Sequence, residues 1–236
     1  MPTRLRPKAP VAADAILVGD PGRSLLLAQE LLEEPRMSNH ARGLWGYSGR
    51  TPEGGELTIQ ATGIGGPSAA AVLADLAELG VSRAIRVGTC TALGEGVALG
   101  ELLIVSEAIG DGGSAASFGL AMGDAVAPER ALYEGLVREL DETARTARVA
   151  SFDSPPATAM RPDSPQAGVD PVAAGAVAAD MQTVALLSRG HQLGVAVAAL
   201  LIVSEAPAAG ALADEAVEET AKRGGRAATR VFQPLS

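Results

Sequence analysis

The chain has 236 residues, 47% of them apolar and 20% charged, which is enough for one sizeable domain and too apolar for a disordered chain. Its 28 acidic and 19 basic residues leave a net charge of −9, which disfavours general binding to nucleic acid or an anionic membrane and still permits a local basic pocket. The single cysteine, Cys90, excludes an intramolecular disulfide and a cysteine-rich zinc site, and two histidines, His40 and His191, speak against a His-rich metal site. The longest apolar run, 193–203, is about half the ~20 residues of a membrane span, and Asp14 interrupts the apolar stretch behind Arg4, Arg6 and Lys8. The expectation is a cytoplasmic protein, one domain over 1–236.

In chain order, 15–18 read as a buried strand and 24–34 as a helix, with Gly19-Asp20-Pro21-Gly22 between them. Residues 57–61 are the next strand. The helix over 67–79 has Pro67 in its first turn and Gly80 after its last. A third strand at 84–87 is ended by Gly88. A fourth covers 102–105 and a fifth, weaker one, 147–151. Residues 176–193 read as a helix closed by Gly194, and 195–203 as a strand buried on both faces. A terminal helix over 211–232 is weakened at Gly224-Gly225. Apolar strands separated by helices indicate an α/β sheet covered on both sides.

Two stretches, 110–128 and 154–171, are rich in glycine or proline and read as long loops over one domain, as lids or as plain surface. The heptapeptide at 102–108 recurs at 200–206, and the unmatched flanks favour two similar core strands, each ending in a polar pair, over a duplicated half.

Three loops share one design, a buried strand, a glycine turn and a polar or cationic group: 19–23, 63–68 and 86–91. Strand carboxyl ends of a parallel sheet form one ligand-binding edge, where glycines let backbone N–H groups approach an anion. Arg23 at a helix start opposes the helix dipole unless an anion lies between. Arg86 breaks an apolar strand, and a buried guanidinium needs a partner, either a core carboxylate or a ligand. Together the two arginines favour an oxyanion site. No loop matches a Walker or dinucleotide motif.

Glu205 ends the longest core strand, either capping a loop or acting as an acid if burial raises its pKa. Asp180 and Gln182, two apart on the expected helix, would point about 200° from each other and share a pocket only at a first turn or kink. Met181 and Cys90 read first as core fillers.

The motifs 19–23, 39–47, 62–68, 85–89 and 111–114 occur in an order and spacing similar to the nucleoside phosphorylase-I family, which contains hexameric purine nucleoside phosphorylases and uridine phosphorylases. The resemblance is strong over 19–118, weak over 154–171 and moderate from Asp180 onward. It implies an α/β domain around a mixed, barrel-like central sheet covered by helices, and a homo-oligomer whose dimers are the catalytic unit and usually form a hexamer. It implies reversible phosphorolysis of nucleosides, with inorganic phosphate as co-substrate and no metal or organic cofactor.

By family pattern, phosphate is held by Gly19, Arg23, Arg86 and Thr89, with Arg42 reaching the neighbouring subunit's site. Ribose lies against Ile64, Met181 and Gln182, and the base near Cys90, Thr91, Phe152 and Glu205. Asp180-Met181-Gln182 stands where the family carries Glu-Met-Glu. Arg4 or Arg6 is nearest to the family's N-terminal histidine, Pro155-Pro156 replaces an aromatic pair, Thr91 replaces a glycine, and no arginine follows Glu205. Glu205, and the absence of the pair that uridine enzymes use, point to purines. Uridine phosphorolysis, water-dependent nucleoside cleavage and a non-catalytic phosphate or sugar-phosphate binder are the alternatives.

Overall fold

Strands that lack polar alternation must be covered on both faces. A computed structural model of the chain describes residues 2–156, 170–207 and 209–233 and shows this arrangement. In β1 (Asp14–Val18), Ala15 and Leu17 enter one core cluster while Ile16 and Val18 enter another, the two-residue period of a strand.

The elements that follow are α1 (Pro21–Leu31), β2 (Glu33–Asn39), a 3-10 turn at Ala41–Gly43, β3 (Gly46–Arg50), β4 (Glu56–Ala61), α2 (Gly66–Glu78), β5 (Arg83–Ala92), β6 (Leu102–Asp111) and α3 (Gly113–Ser117). Then come β7 (Ala125–Val126), α4 (Arg130–Leu140), β8 (Arg145–Phe152), β9 (Ala178–Asp180), α5 (Thr183–Leu193), β10 (Ala196–Ala206), β11 (Gly210–Ala211) and α6 (Asp214–Phe232).

Five strands close a barrel: β5 pairs parallel with β10, β10 antiparallel with β6, β6 parallel with β8, β8 parallel with β9, and β9 antiparallel with β5. From β5 the sheet continues outward through β1, β4, β3 and β2. The mixed, barrel-like α/β sheet is thus present. Among the described residues no helix is long and apolar enough to cross a membrane.

The repeated heptapeptide forms two neighbouring barrel strands running in opposite directions, with Leu200 opposite Ile104 and Ile202 opposite Leu102. The strands do not stop at their polar pair. In each copy the register shifts across the serine, between Val105 and Glu107 on β6 and between Val203 and Glu205 on β10. One sequence, Val-Ser-Glu, makes the same bulge twice, and bulges supply the local bend that a closing sheet requires.

Several expected boundaries move. The first helix stops at Leu31, and 33–39 turn back as β2, pairing with β3, neither of which periodicity had marked. Gly88 does not end the third strand. A Cβ there would lie 2.4 Å from the Arg86 guanidinium carbon, so the glycine makes room for that side chain while the strand runs on to Ala92. Gly224 and Gly225 sit inside an unbroken helix. A Cβ on Gly225 would come within 3.0 Å of Leu31, so Gly225 lets α6 approach α1, while Gly224 faces Val87 and Leu200 of the sheet. The loop at 110–128 holds α3 and β7. Of the proline-rich stretch, 157–169 lie outside the described residues.

Candidate anion-binding site

The site is assembled where β1 and β4 end beside β5. These three strands are parallel, with Val18 opposite Ala61 and Leu17 opposite Arg86. The loops after β1 and β4 therefore leave the same edge, and they touch: a Cβ on Gly19 would lie 3.6 Å from the Gly63 carbonyl oxygen and 3.8 Å from Gln182 Oε1. In the first loop the Asp20 carboxylate caps α1 by accepting from the Arg23 backbone N–H (2.8 Å), with Pro21 in the first turn.

Arg86 is 4% exposed. Its Nη1 donates to Gln182 Oε1 (2.6 Å) and its Nη2 to Asp180 Oδ2 (3.0 Å), while its Nε is buried with no hydrogen-bond partner. A core carboxylate is therefore one partner of this guanidinium, and three of its five N–H donors remain unused. The Arg23 guanidinium makes no hydrogen bond among the described residues and lies near Arg86. Burial, and then the like charge of Arg86, hold its pKa below the ordinary arginine value, and Asp20 and Glu218 offset this only in part. Two guanidinium groups within Coulombic reach of each other, one with an orphaned buried donor, are a combination that can receive an anion.

Asp180 and Gln182 are not on a helix. Asp180 ends β9 and Gln182 stands just before the first turn of α5, so the expected 200° divergence does not apply. The error has a local cause, because the alanine-rich 176–180 carries no strand period. Both side chains are buried and already partnered. Asp180 accepts from Ser151 Oγ (2.5 Å), from the Thr183 hydroxyl (2.8 Å), from the Thr183 backbone N–H and from Arg86. Gln182 Oε1 accepts from Arg86 and lies beside the Thr62 hydroxyl, and its Nε2 donates to the carbonyls of Gly63 (2.5 Å) and Gly65 (3.4 Å). An amide has two donors and two acceptor sites; both donors and one acceptor site are engaged, while the single Thr62 proton has a nearer acceptor in the Val18 carbonyl (3.0 Å). Gln182 thus ties the guanidinium to the glycine loop. Asp180 serves as a counter-ion to Arg86.

The remaining expected residues fall into three groups. Thr89 is half-buried on β5, with a hydroxyl that makes no hydrogen bond among the described residues, and Ile64 on the glycine loop is 83% exposed. Cys90 and Phe152 are buried in core clusters, the Cys90 thiol donating to the Ile202 carbonyl; burial and then the Asp180 charge push its pKa up, so it is a packed thiol. Met181 is half-buried beside a small cavity that Phe152 and Ser114 also line.

Glu205 is exposed, so the burial on which an acid role was conditioned is absent in the single chain; its Oε2 accepts from the Thr91 hydroxyl (3.2 Å). Arg42 is not brought to Arg86 within the chain. It lines a separate cleft with Arg4, Arg6, Lys8 and His40.

Ser151, Thr183 and Thr62 belong to the site and were not singled out from the sequence. Asp180 with Thr183 three residues on, ahead of an apolar run, is a helix-start signature that identifies this pair, whereas Ser151 and Thr62 carry no such signal.

A sequence profile of the Phosphorylase superfamily matches residues 14–235. A DeoD-type purine nucleoside phosphorylase of Clostridium perfringens is 30% identical over 202 residues, 83% of this chain and 82% of that one. Another, from Oceanobacillus iheyensis, is 36% identical over 102 residues, and that match spans only 43% of each chain. Among solved structures, the uridine phosphorylase of Vibrio fischeri superimposes with a TM-score of 0.80 at 22% identity, covering 94% of this chain and 92% of that one, a likeness of fold. From the profile match over nearly the whole length, and the relative aligned across most of it, the chain belongs to the phosphorylase superfamily, among the nucleoside phosphorylases.

Proposed function

We propose that the protein cleaves the N-glycosidic bond of purine nucleosides with inorganic phosphate, giving free base and ribose 1-phosphate. The observation that carries this reading is the pair of adjacent guanidiniums, Arg23 and Arg86, with Arg86 Nε buried and unpartnered. A hydrolase using water has no need of such a receptor. Phosphate held there attacks the anomeric carbon as the bond to the base breaks, and its charge stabilises the cation-like sugar. The bonding pair leaves with the base, which takes a proton; the role of acid falls to Glu205, exposed in the single chain, once substrate or a second copy covers it. The purine preference is supported by the DeoD-type relatives and by the absence of an arginine after Glu205. Arg42 from a second copy completes the phosphate site, with the dimer as catalytic unit and a hexamer as the assembly. No organic cofactor or metal takes part.

Incubation with inosine, adenosine and uridine, each with and without phosphate, tests the reading. Base release from the purines only when phosphate is present is expected; release independent of phosphate refutes phosphorolysis, and cleavage of uridine alone refutes the purine assignment. A second reading, a binder without turnover, is favoured by an amide, Gln182, standing where the family carries a glutamate, with its Oε1 held by Arg86 and its Nε2 by the Gly63 carbonyl. It predicts thermal stabilisation by phosphate or ribose 1-phosphate with no nucleoside consumed.

A further inference from the structure

The helices that follow β1 and β10 both begin at the ligand edge, because β1 and β10 each run parallel to β5. They also pack on each other. A Cβ on Gly225 of α6 would lie 3.1 Å from Leu27 and 3.0 Å from Leu31 of α1, and Arg226 is ion-paired to Glu30. α1 and α6 therefore run side by side in the same direction. Arg23 lies seven residues before Glu30, and Glu218 seven before Gly225, two turns back on each helix. The seam that carries the Glu30–Arg226 pair at one level thus brings Glu218 towards Arg23 at the receptor.

Neither end of this contact is explained by its own helix. Arg23 stands in the first turn of α1, where the dipole disfavours a cation. Asp20, the stronger of the two acidic influences on Arg23, uses its Oδ1 to cap α1. Glu218 comes after the first turn of α6, which Asp214 and Glu215 already supply with negative charge, so the dipole gives it little. Lys222, one turn on, is ion-paired to Glu219 at 2.6 Å. Glu218 is exposed and makes no hydrogen bond or ion pair among the described residues, yet its charge acts on Arg23. A carboxylate that faces a half-buried guanidinium without being locked to it can yield to a stronger anion.

We infer that Glu218 is a built-in competitor at the phosphate receptor: its carboxylate gives Arg23 a counter-charge and opposes the incoming anion, so this residue sets how tightly phosphate is held. The inference rests on the phosphate reading proposed above. Glu218 acts through Arg23 and touches no reacting atom. A receptor that must also release a sugar phosphate gains from such a brake, because dissociation slows as the anion is held more tightly.

Calorimetric titration of the full chain with inorganic orthophosphate at low salt compares the wild type with Glu218→Gln, Glu218→Lys and, as a control on the same helix, Glu215→Gln. Glu218→Gln binds phosphate about two- to fivefold more tightly, as expected for an exposed charge contact, and Glu218→Lys more tightly still. Glu215→Gln binds as the wild type does, and the gain at position 218 shrinks as salt is raised. The melting temperature without phosphate stays close to that of the wild type, because Glu218 has no hydrogen bond to lose. In turnover of inosine, KM for phosphate falls while KM for inosine is unchanged, a split that a merely structural role would not produce. Phosphate bound without turnover refutes phosphorolysis, and the titration alone then decides the role of Glu218. Equal affinity in wild type and Glu218→Gln, an equal gain in Glu215→Gln, or weaker binding by Glu218→Lys overturns the inference. Binding by neither wild type nor Glu218→Gln overturns the receptor along with it.

Discussion

Arg86→Ala removes one partner of a buried ion pair, and the structure allows its cost to be worked out. Deleting one member of such a pair costs roughly 3–5 kcal/mol, because the other charge is left buried and uncompensated. Asp180 keeps Ser151 Oγ, the Thr183 hydroxyl and the Thr183 N–H as donors, which places the cost near the lower end, about 3 kcal/mol. For a domain of this length that is a fall in Tm of roughly 6–12 °C. The variant therefore folds but is weakened. Asp180→Asn in the same background removes the stranded charge, so the double-mutant cycle should show a coupling of up to about 3 kcal/mol. Orthophosphate adds a second readout. At about a hundred times Kd it stabilises the wild type by about 2.7 kcal/mol, it stabilises Asp180→Asn at least as much because the receptor gains net positive charge, and it does nothing for Arg86→Ala. Denaturation curves with and without phosphate measure both effects. Equal phosphate stabilisation of wild type and Arg86→Ala refutes the receptor, and additive energies refute the ion pair.

Other consequences are simpler to check. Gln182→Glu replaces two donors with acceptors facing the Gly63 and Gly65 carbonyls, and the added negative charge competes with the anion at Arg86; phosphate affinity in titration falls, and a rise would contradict the bracing role. Cys90, with its thiol pKa pushed up by burial, does not react with a thiol reagent until the protein unfolds, so labelling at the native rate of a free thiol counts against its packing. Burial pushes the Asp75 pKa up, but the N–H groups of Leu5 and Arg4 and the Arg4 side chain outweigh it and hold the carboxyl below its ordinary value. The stabilisation is therefore complete above the ordinary carboxylate pKa and is lost as pH falls through the lower folded value. Amide exchange at Leu5 should rise below about pH 4, and in Asp75→Asn it should be fast at every pH.

The apolar runs made β1, β4, β5 and β10 readable, because a strand buried on both faces has no other way to look. The glycine-broken loops located the edge at which Gly19, Arg23 and Arg86 meet. What stayed hidden depends on pairing across the sheet. β2 is exposed through Arg36 and Met37 and carries no apolar signal, so only its ladder with β3 defines it. The three residues of β9 are too few to show a period. The repeat at 102–108 and 200–206 was visible, but that its serines are bulges follows from register, which no single strand contains. The roles of Asp180 and Gln182 turn on partners 94 and 96 residues away, and no local pattern announces a contact of that range.

Charge counting gives the strongest reason to expect a shared site. Arg23 and Arg86 bring two positive charges to the receptor, and Asp180, paired to Arg86, takes one back. One chain thus offers about one net charge to an anion that carries between one and two at neutral pH. The cation expected to complete the set, Arg42, lies in another cleft of its own chain. A second copy can supply it, and this arrangement has a distinctive genetic signature. Arg42→Ala and Arg86→Ala should each abolish phosphate-dependent cleavage as homodimers. A mixed dimer joins the intact Arg86 of one chain to the intact Arg42 of the other at one of its two sites. Random mixing of equal amounts makes half the dimers mixed, so about a quarter of the wild-type sites return. Activity should appear on mixing after dissociation and reassociation, and not in either variant alone. If the mixture remains as inactive as its parts while size-exclusion chromatography shows exchanged dimers, the site is contained within one chain and the charge deficit must be met from elsewhere.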